Sequence, residues 1–193
     1  MTTVFIITHP EVAIDPAIPV PEWPLSARGR ARMRAALARD WPRRIRTIVA
    51  SRERKAIDTA QILADGLGLE FTTLADLGEN DRSATGFLHR EEFEATADQF
   101  FAHPEQSIRG WERAIDAQRR MAGAMEAVLA TAPPSGDLAV VTHGAVATLL
   151  MCALENLAIS RAHDQPPGGG GNYYAFDRER RLLRHGWLAI DGE

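Results

Sequence analysis

Two histidines stand at matching points of the sequence. One closes the run Thr3-Val4-Phe5-Ile6-Ile7-Thr8-His9 and the other closes Leu138-Ala139-Val140-Val141-Thr142-His143. An imidazole titrates near neutrality and can serve as nucleophile, acid or base. A lone histidine after a strand is more often a hydrogen-bonded loop residue, so it is the pair in matching contexts that points to chemistry. Each apolar, largely β-branched run reads as a strand buried on both faces. Open α/β sheets bind their ligands beyond the carboxyl ends of such strands. His9 and His143 are therefore expected to converge on one pocket, carried by adjacent parallel strands near 3–8 and 137–142.

The elements that would position this pair alternate between strand and helix. Pro10, Pro16, Pro19, Pro21 and Pro24 make the stretch after His9 a loop, because each removes a backbone donor and disfavours helix one residue earlier. A connection of that length tends to line a binding site. Ser26 is a plausible cap for a helix whose buried face is Leu25, Gly29, Met33, Ala36 and Leu37, with Arg28, Arg30, Arg32 and Arg34 as its solvated face. Pro42 ends it. Arg46–Ser51 reads as a second strand, followed by a helix over about 53–67 that Gly66 and Gly68 close. Leu69–Leu74 reads as a third strand and Leu77–Ser83 as a polar loop. Helices are expected over about 89–101 and 109–131, divided by Pro104. A helix over Gly144–Leu154 starts directly from the strand ending at His143. A flexible glycine turn at 166–171 then leads to two antiparallel strands, Asn172–Asp177 and Arg181–Ala189. This alternation implies a three-layer α/β fold, a mostly parallel sheet with helices on both faces, in one domain spanning 1–193.

Composition narrows the class. The chain has 193 residues, 45% of them apolar and 25% charged, as expected for a globular domain with a sizeable core. A net charge of −4 and the absence of a basic run argue against a nucleic-acid-binding face. No apolar stretch is long enough for a membrane span, and no signal-like segment precedes the first strand. Cys152 is the only cysteine, so no intrachain disulfide can form. It reads as a buried small hydrophobe. A reducing, cytoplasmic setting is the expectation. No clustered set of metal ligands appears, and no cofactor is called for.

The ordered motifs resemble the histidine phosphatase superfamily, also called phosphoglycerate mutase-like. They are the strand ending in His9, the Leu-Ser-x-x-Gly helix opening at Leu25, Ser51-x-x-x-Lys55-Ala56-x-x-Thr59-Ala60, the loop at Glu79 and the late Thr142-His143-Gly144. The resemblance runs from Val4 to about Leu150 and implies a phosphatase acting on a small phosphate-bearing molecule without a metal. A degenerate relative that binds a phosphorylated ligand with little turnover is the alternative, and a mutase is disfavoured by length. The resemblance implies His9 as nucleophile, His143 as an imidazolium donating to a phosphate oxygen, and Glu79 as general acid with a raised pKa. The amides of Gly144 and Ala145, opening a helix, would favour the same anion. The family pattern Arg-His-Gly is here Thr8-His9-Pro10, so the guanidinium that would fork onto phosphate is missing. The family's second arginine falls at Lys55, which keeps the charge without the fork. Arg52, Arg54 and Arg82 are the candidates to supply a replacement. Trp111, where the family has a Gly-Glu-Ser segment, would contact substrate or, more often at such a place, join the core.

Overall fold

The computed structural model describes residues 2–192. Its strands are β1 (Thr3–Thr8), β2 (Ile45–Ser51), β3 (Thr72–Leu74), β4 (Asp137–Thr142), β5 (Asn172–Asp177) and β6 (Leu183–Ala189). Its α-helices are α1 (Ala27–Ala36), α2 (Arg54–Leu67), α3 (Arg90–Ala102), α4 (Ala114–Thr131) and α5 (Gly144–Leu154). The strands form one sheet in the order β3-β2-β4-β1-β5-β6. β1, β2, β3 and β4 are mutually parallel, while β5 and β6 run antiparallel to their neighbours. β1 and β4 are adjacent and parallel, as their matching runs require, with Val4 opposite Leu138 and Thr8 opposite Thr142.

The two-residue alternation of a strand sends successive side chains into two separate cores. Phe5, Ile7, Ile48, Ala139 and Val141 pack with Met33 and Ala36 of α1 and Ala56, Ala60 and Leu63 of α2. Val4, Ile6, Leu138 and Val140 pack on the other face with Phe100 of α3, Met121 and Met125 of α4, and Leu149 of α5. Both faces being covered, the central strands can be continuously apolar. Cys152 is fully buried in this second layer's helix. No helix among the described residues is long and apolar enough to cross a membrane.

Several boundaries differ from those expected. The third strand begins at Thr72, because Gly68 takes a left-handed φ of 66° and the Leu69 amide turns back to Ala64 O of α2. α4 begins at Ala114 and not near 109, since Arg109 (φ 53°) and Gly110 (φ 82°) turn the chain first. Trp111 follows that turn into the core at 2% exposure, so it does not face a ligand. Ser26 caps α1, its Oγ accepting from Gly29 N–H at 3.0 Å. The arginines of α1 are not all solvated: Arg30 pairs with the buried Asp58, and Arg32 pairs with Asp191.

Candidate active site

Both histidines leave the sheet at the same end. His9 N–H donates to Thr142 O at 3.2 Å, and the two rings stand 5.2 Å apart between centroids, at 64°. His9 Nδ1 lies 2.9 Å from Pro10 O. A carbonyl only accepts, so in the neutral ring Nδ1 carries the proton and Nε2 keeps its lone pair. Burial, then the Lys55 charge, lowers the His9 pKa to about 4, which leaves the ring neutral at physiological pH. The His9 backbone is fixed from behind by the turn 168–171. Its four glycines all have positive φ, and Gly171 N–H donates to His9 O at 3.0 Å. A Cβ on Gly170 would stand 2.2 Å from His9 O. Arg32 secures the turn by donating to Gly170 O at 2.8 Å and Gly171 O at 3.0 Å while forking onto the Asp191 carboxylate. The expected flexible turn is therefore a braced one.

His143 caps α5 and is completely buried. Its Nε2 faces Ser51 Oγ at 2.8 Å and Glu53 Oε1 at 3.3 Å, whereas Nδ1 has no partner. A proton on Nε2 is the economical tautomer, since it leaves an acceptor and not a donor unpaired. Burial drives the His143 pKa well below its ordinary value, and the neighbouring His9, Lys55 and Arg82 act the same way against Glu53. The resting ring is thus neutral, which corrects the imidazolium expected from the resemblance.

Glu79 sits at the N-terminus of α5. Its carboxylate accepts from Val146 N–H at 3.2 Å and Ala145 N–H at 3.4 Å. Burial raises its pKa, with Glu53 adding to the rise and Arg82 opposing it. The loop that carries it is clamped from α4. Arg120 donates to Asp76 O, Gly78 O and Glu79 O and forks onto Glu112, whose own N–H bonds Asp81 O at 2.7 Å. Thr142 Oγ1 adds a bond to Leu77 O at 2.7 Å. Of the helix-start amides expected to hold a ligand anion, that of Ala145 serves Glu79, while Gly144 lies close to Gln165, whose Nε2 a Cβ there would meet at 2.4 Å.

The expected anion-binding side chains separate. Thr8 is fully buried, its hydroxyl bonded to Gln165 Oε1, Asn172 O and Asn172 N–H, so it joins β1 to the β5 side of the fold and does not face the crevice. Lys55 is 2% exposed and bonded to Val20 O and to the Glu53 carboxylate. Arg54 pairs with Asp58 on the outer side of α2, and Arg52 is exposed. Arg82 alone of the three candidates lines a cavity of about 300 Å³, together with Pro19, Val20, Glu53, Glu79 and Asn80. Its charge acts on His9, His143 and Glu79, and its guanidinium lies 4.9 Å from the Phe93 ring centre. Two cavity residues escaped the sequence reading. Asn80 is 5% exposed with its Nδ2 unpartnered, a buried donor facing no protein acceptor. Glu53 lies inside the Ser51-to-Lys55 motif, where only its proximity to a lysine marked it. Among the described residues no group of three or more His, Cys, Asp or Glu side chains is placed to hold a metal ion.

The sequence profile of the histidine phosphatase superfamily (branch 1) matches residues 17–180. The chain belongs to that superfamily. Membership places it among enzymes of the phosphatase class, as the ordered motifs implied, although the match begins beyond Thr8-His9-Pro10. No curated protein matches the chain. Among solved structures it resembles a mycobacterial glucosyl-3-phosphoglycerate phosphatase in complex with inorganic phosphate, with 20% identity, 100% of both chains covered and a TM-score of 0.78. It resembles Bacillus stearothermophilus YhfR, with 19% identity, 100% of this chain and 98% of that one covered and a TM-score of 0.77. It also resembles a putative alpha-ribazole-5'-P phosphatase from Escherichia coli, with 17% identity, the same coverage and a TM-score of 0.76. At these identities the likeness is one of histidine phosphatase fold.

Proposed function

We propose that this protein hydrolyses a small phosphomonoester through a phosphohistidine on His9. The observation that carries the reading is the Nδ1–H bond of His9 to Pro10 O, which leaves a neutral Nε2 lone pair at the sheet's ligand end beside the His143 ring. Nε2 attacks phosphorus in line, forming the N–P bond as the P–O bond to the leaving group breaks. Glu79, whose carboxyl is held protonated more readily than an exposed one, gives its proton to the departing oxygen. Water then attacks phosphorus from the vacated side and returns a proton to Glu79, the N–P bond breaks, and phosphate and free His9 result. Arg82 and the unpartnered Asn80 Nδ2, both lining the cavity, are the donors available to the equatorial oxygens, while the His143 Nε2–H is held by Ser51 and Glu53. The cavity, about 300 Å³, suits a small leaving group. Two of the structural relatives are named as phosphatases of glucosyl-3-phosphoglycerate and of alpha-ribazole-5'-P, which supports a small phosphomonoester as substrate class.

A second reading, a binding module with little turnover, is favoured by one observation: the two positions that resemble the family's arginines, Thr8 and Lys55, are both committed to protein partners. Phosphate release from a panel of phosphomonoesters, with His9→Ala as control, decides between them. Turnover lost in the variant, with an acid-labile and base-stable phosphoryl group trapped on the wild type, supports the phosphatase. The same release should persist in chelator. Saturable phosphate binding with no release supports the module.

A further inference from the structure

Glu53 breaks a local rule. It occupies the N-cap of α2, where a side-chain oxygen ordinarily accepts from the helix's first amides, yet it makes no capping bond. Its carboxylate turns to the crevice instead. Oε2 takes Lys55 Nζ, and Oε1 takes Glu79 N–H at 2.8 Å and faces His143 Nε2 at 3.3 Å. A cation, a backbone amide and an imidazole N–H thus converge on one anion that lines the cavity. Departures from local preference of this kind are found where a site has other demands.

We propose that the Glu53 carboxylate is a built-in occupant of the phosphate cradle, competing with the phosphoryl group for Lys55 and His143 and so setting a low affinity for phosphate. The proposal rests on the assignment of this pocket as a phosphoryl site. Its physical content is charge. Lys55 is the only lysine in the sequence, and with Glu53 ionised its field is cancelled at the cavity. The Glu53 pKa falls to about 2, with His143 and Lys55 overcoming burial, so protonation does not release the cradle at neutral pH. An entering phosphate therefore meets a carboxylate, and Arg82 and Asn80 are left to draw it in. The functional gain is a product that leaves easily, at the cost of weak ground-state binding of the transferring group.

The test is a calorimetric titration of the whole protein with inorganic phosphate, comparing wild type with Glu53→Gln. The amide keeps an acceptor for Glu79 N–H and removes the charge. Removal of a unit charge a few ångströms from a bound anion predicts phosphate binding at least about tenfold tighter. Lys55→Met completes a double-mutant cycle. It should weaken phosphate binding in the wild type, where it leaves the Glu53 charge unpaired, and should weaken it further still in Glu53→Gln, where Lys55 is free to meet the anion. A merely structural ion pair would give no such coupling. Should Glu53→Gln fail to fold, Glu53→Asp draws the carboxylate back by one methylene and should tighten binding in the same direction. Unchanged or weaker phosphate binding by a folded variant overturns the proposal. His9-dependent release is scored separately: release with unchanged binding removes only the role of Glu53, and tighter binding without release from either protein removes only the phosphatase.

Discussion

At the level of single residues, the pair of histidines was readable because each closes a buried strand, and two strands of the same form in an α/β chain pair in parallel. Glu79 was readable as a candidate acid, and burial shifts its pKa upward, the direction that role calls for. Glu79→Gln should lower the rate by about a hundred- to ten-thousandfold on alkyl phosphates, and far less on p-nitrophenyl phosphate, whose phenolate leaves without a proton. Equal losses on both would show that Glu79 does not protonate the leaving oxygen. The replacement guanidinium is a sharper case. Arg52, Arg54 and Arg82 were indistinguishable in the sequence, because a side chain's direction depends on partners distant along the chain. Asp58 draws Arg54 outward, whereas the 79–83 loop turns Arg82 to the cavity. Arg82→Ala should cost roughly a hundred- to a thousandfold in kcat/KM, the usual effect of losing one preorganised donor. Arg52→Ala and Arg54→Ala should stay near the wild-type rate, and steady-state kinetics on one substrate settles all three. Thr8 was the misread residue. Its type showed the loss of an arginine, but only the fold reveals that Gln165 and Asn172 already hold its hydroxyl. Glu53 left no usual signature, since an acid ahead of a helix is commonplace.

At the level of elements, periodicity placed the strands and helices well and their ends less well. The ends of β3 and α4 are set by positive-φ residues whose effect on the path is not written in hydrophobic pattern. The glycine turn shows the same limit: its composition suggested freedom, whereas its carbonyls and amides are tied to Arg32, His9 and Ile190. Gly170→Ala tests whether that tie matters to chemistry. Its φ of 76° strains any side chain, and a Cβ would press on His9 O at 2.2 Å. The nucleophile must move, and a displacement of about 1 Å can cost roughly a hundredfold in rate. Gly169→Ala has a similar φ of 80° but meets only ordinary contacts against Glu11. It should lose stability without a comparable loss in kcat. Equal kcat in the two variants would disconnect the turn from the nucleophile.

For the whole molecule, the same buried groups make folding stability depend on pH. His9 and His143 have native pKa values below the ordinary 6.5, so the unfolded chain binds protons first. Their contribution is present above about pH 6.5 and is lost as pH falls toward 4. Glu53, lowered to about 2, contributes above about 4.5 and loses that contribution as pH falls toward 2. Glu79, raised, has the opposite sign: its contribution is present below about 4.5 and lost as pH rises through its native pKa. Urea midpoints should therefore fall between pH 7 and pH 4.5, and His9→Asn should flatten that slope. A flat wild-type profile would mean that the two rings titrate alike in both states. The three-layer arrangement also joins remote parts of the chain at one place. Arg32, from the first helix, grips both the turn that fixes His9 and Asp191, near the far end of the sequence. Anyone attaching a purification tag or a surface anchor should therefore favour the other end, because a fusion that pulls on the segment around Asp191 would be felt at the nucleophile before it loosened the core.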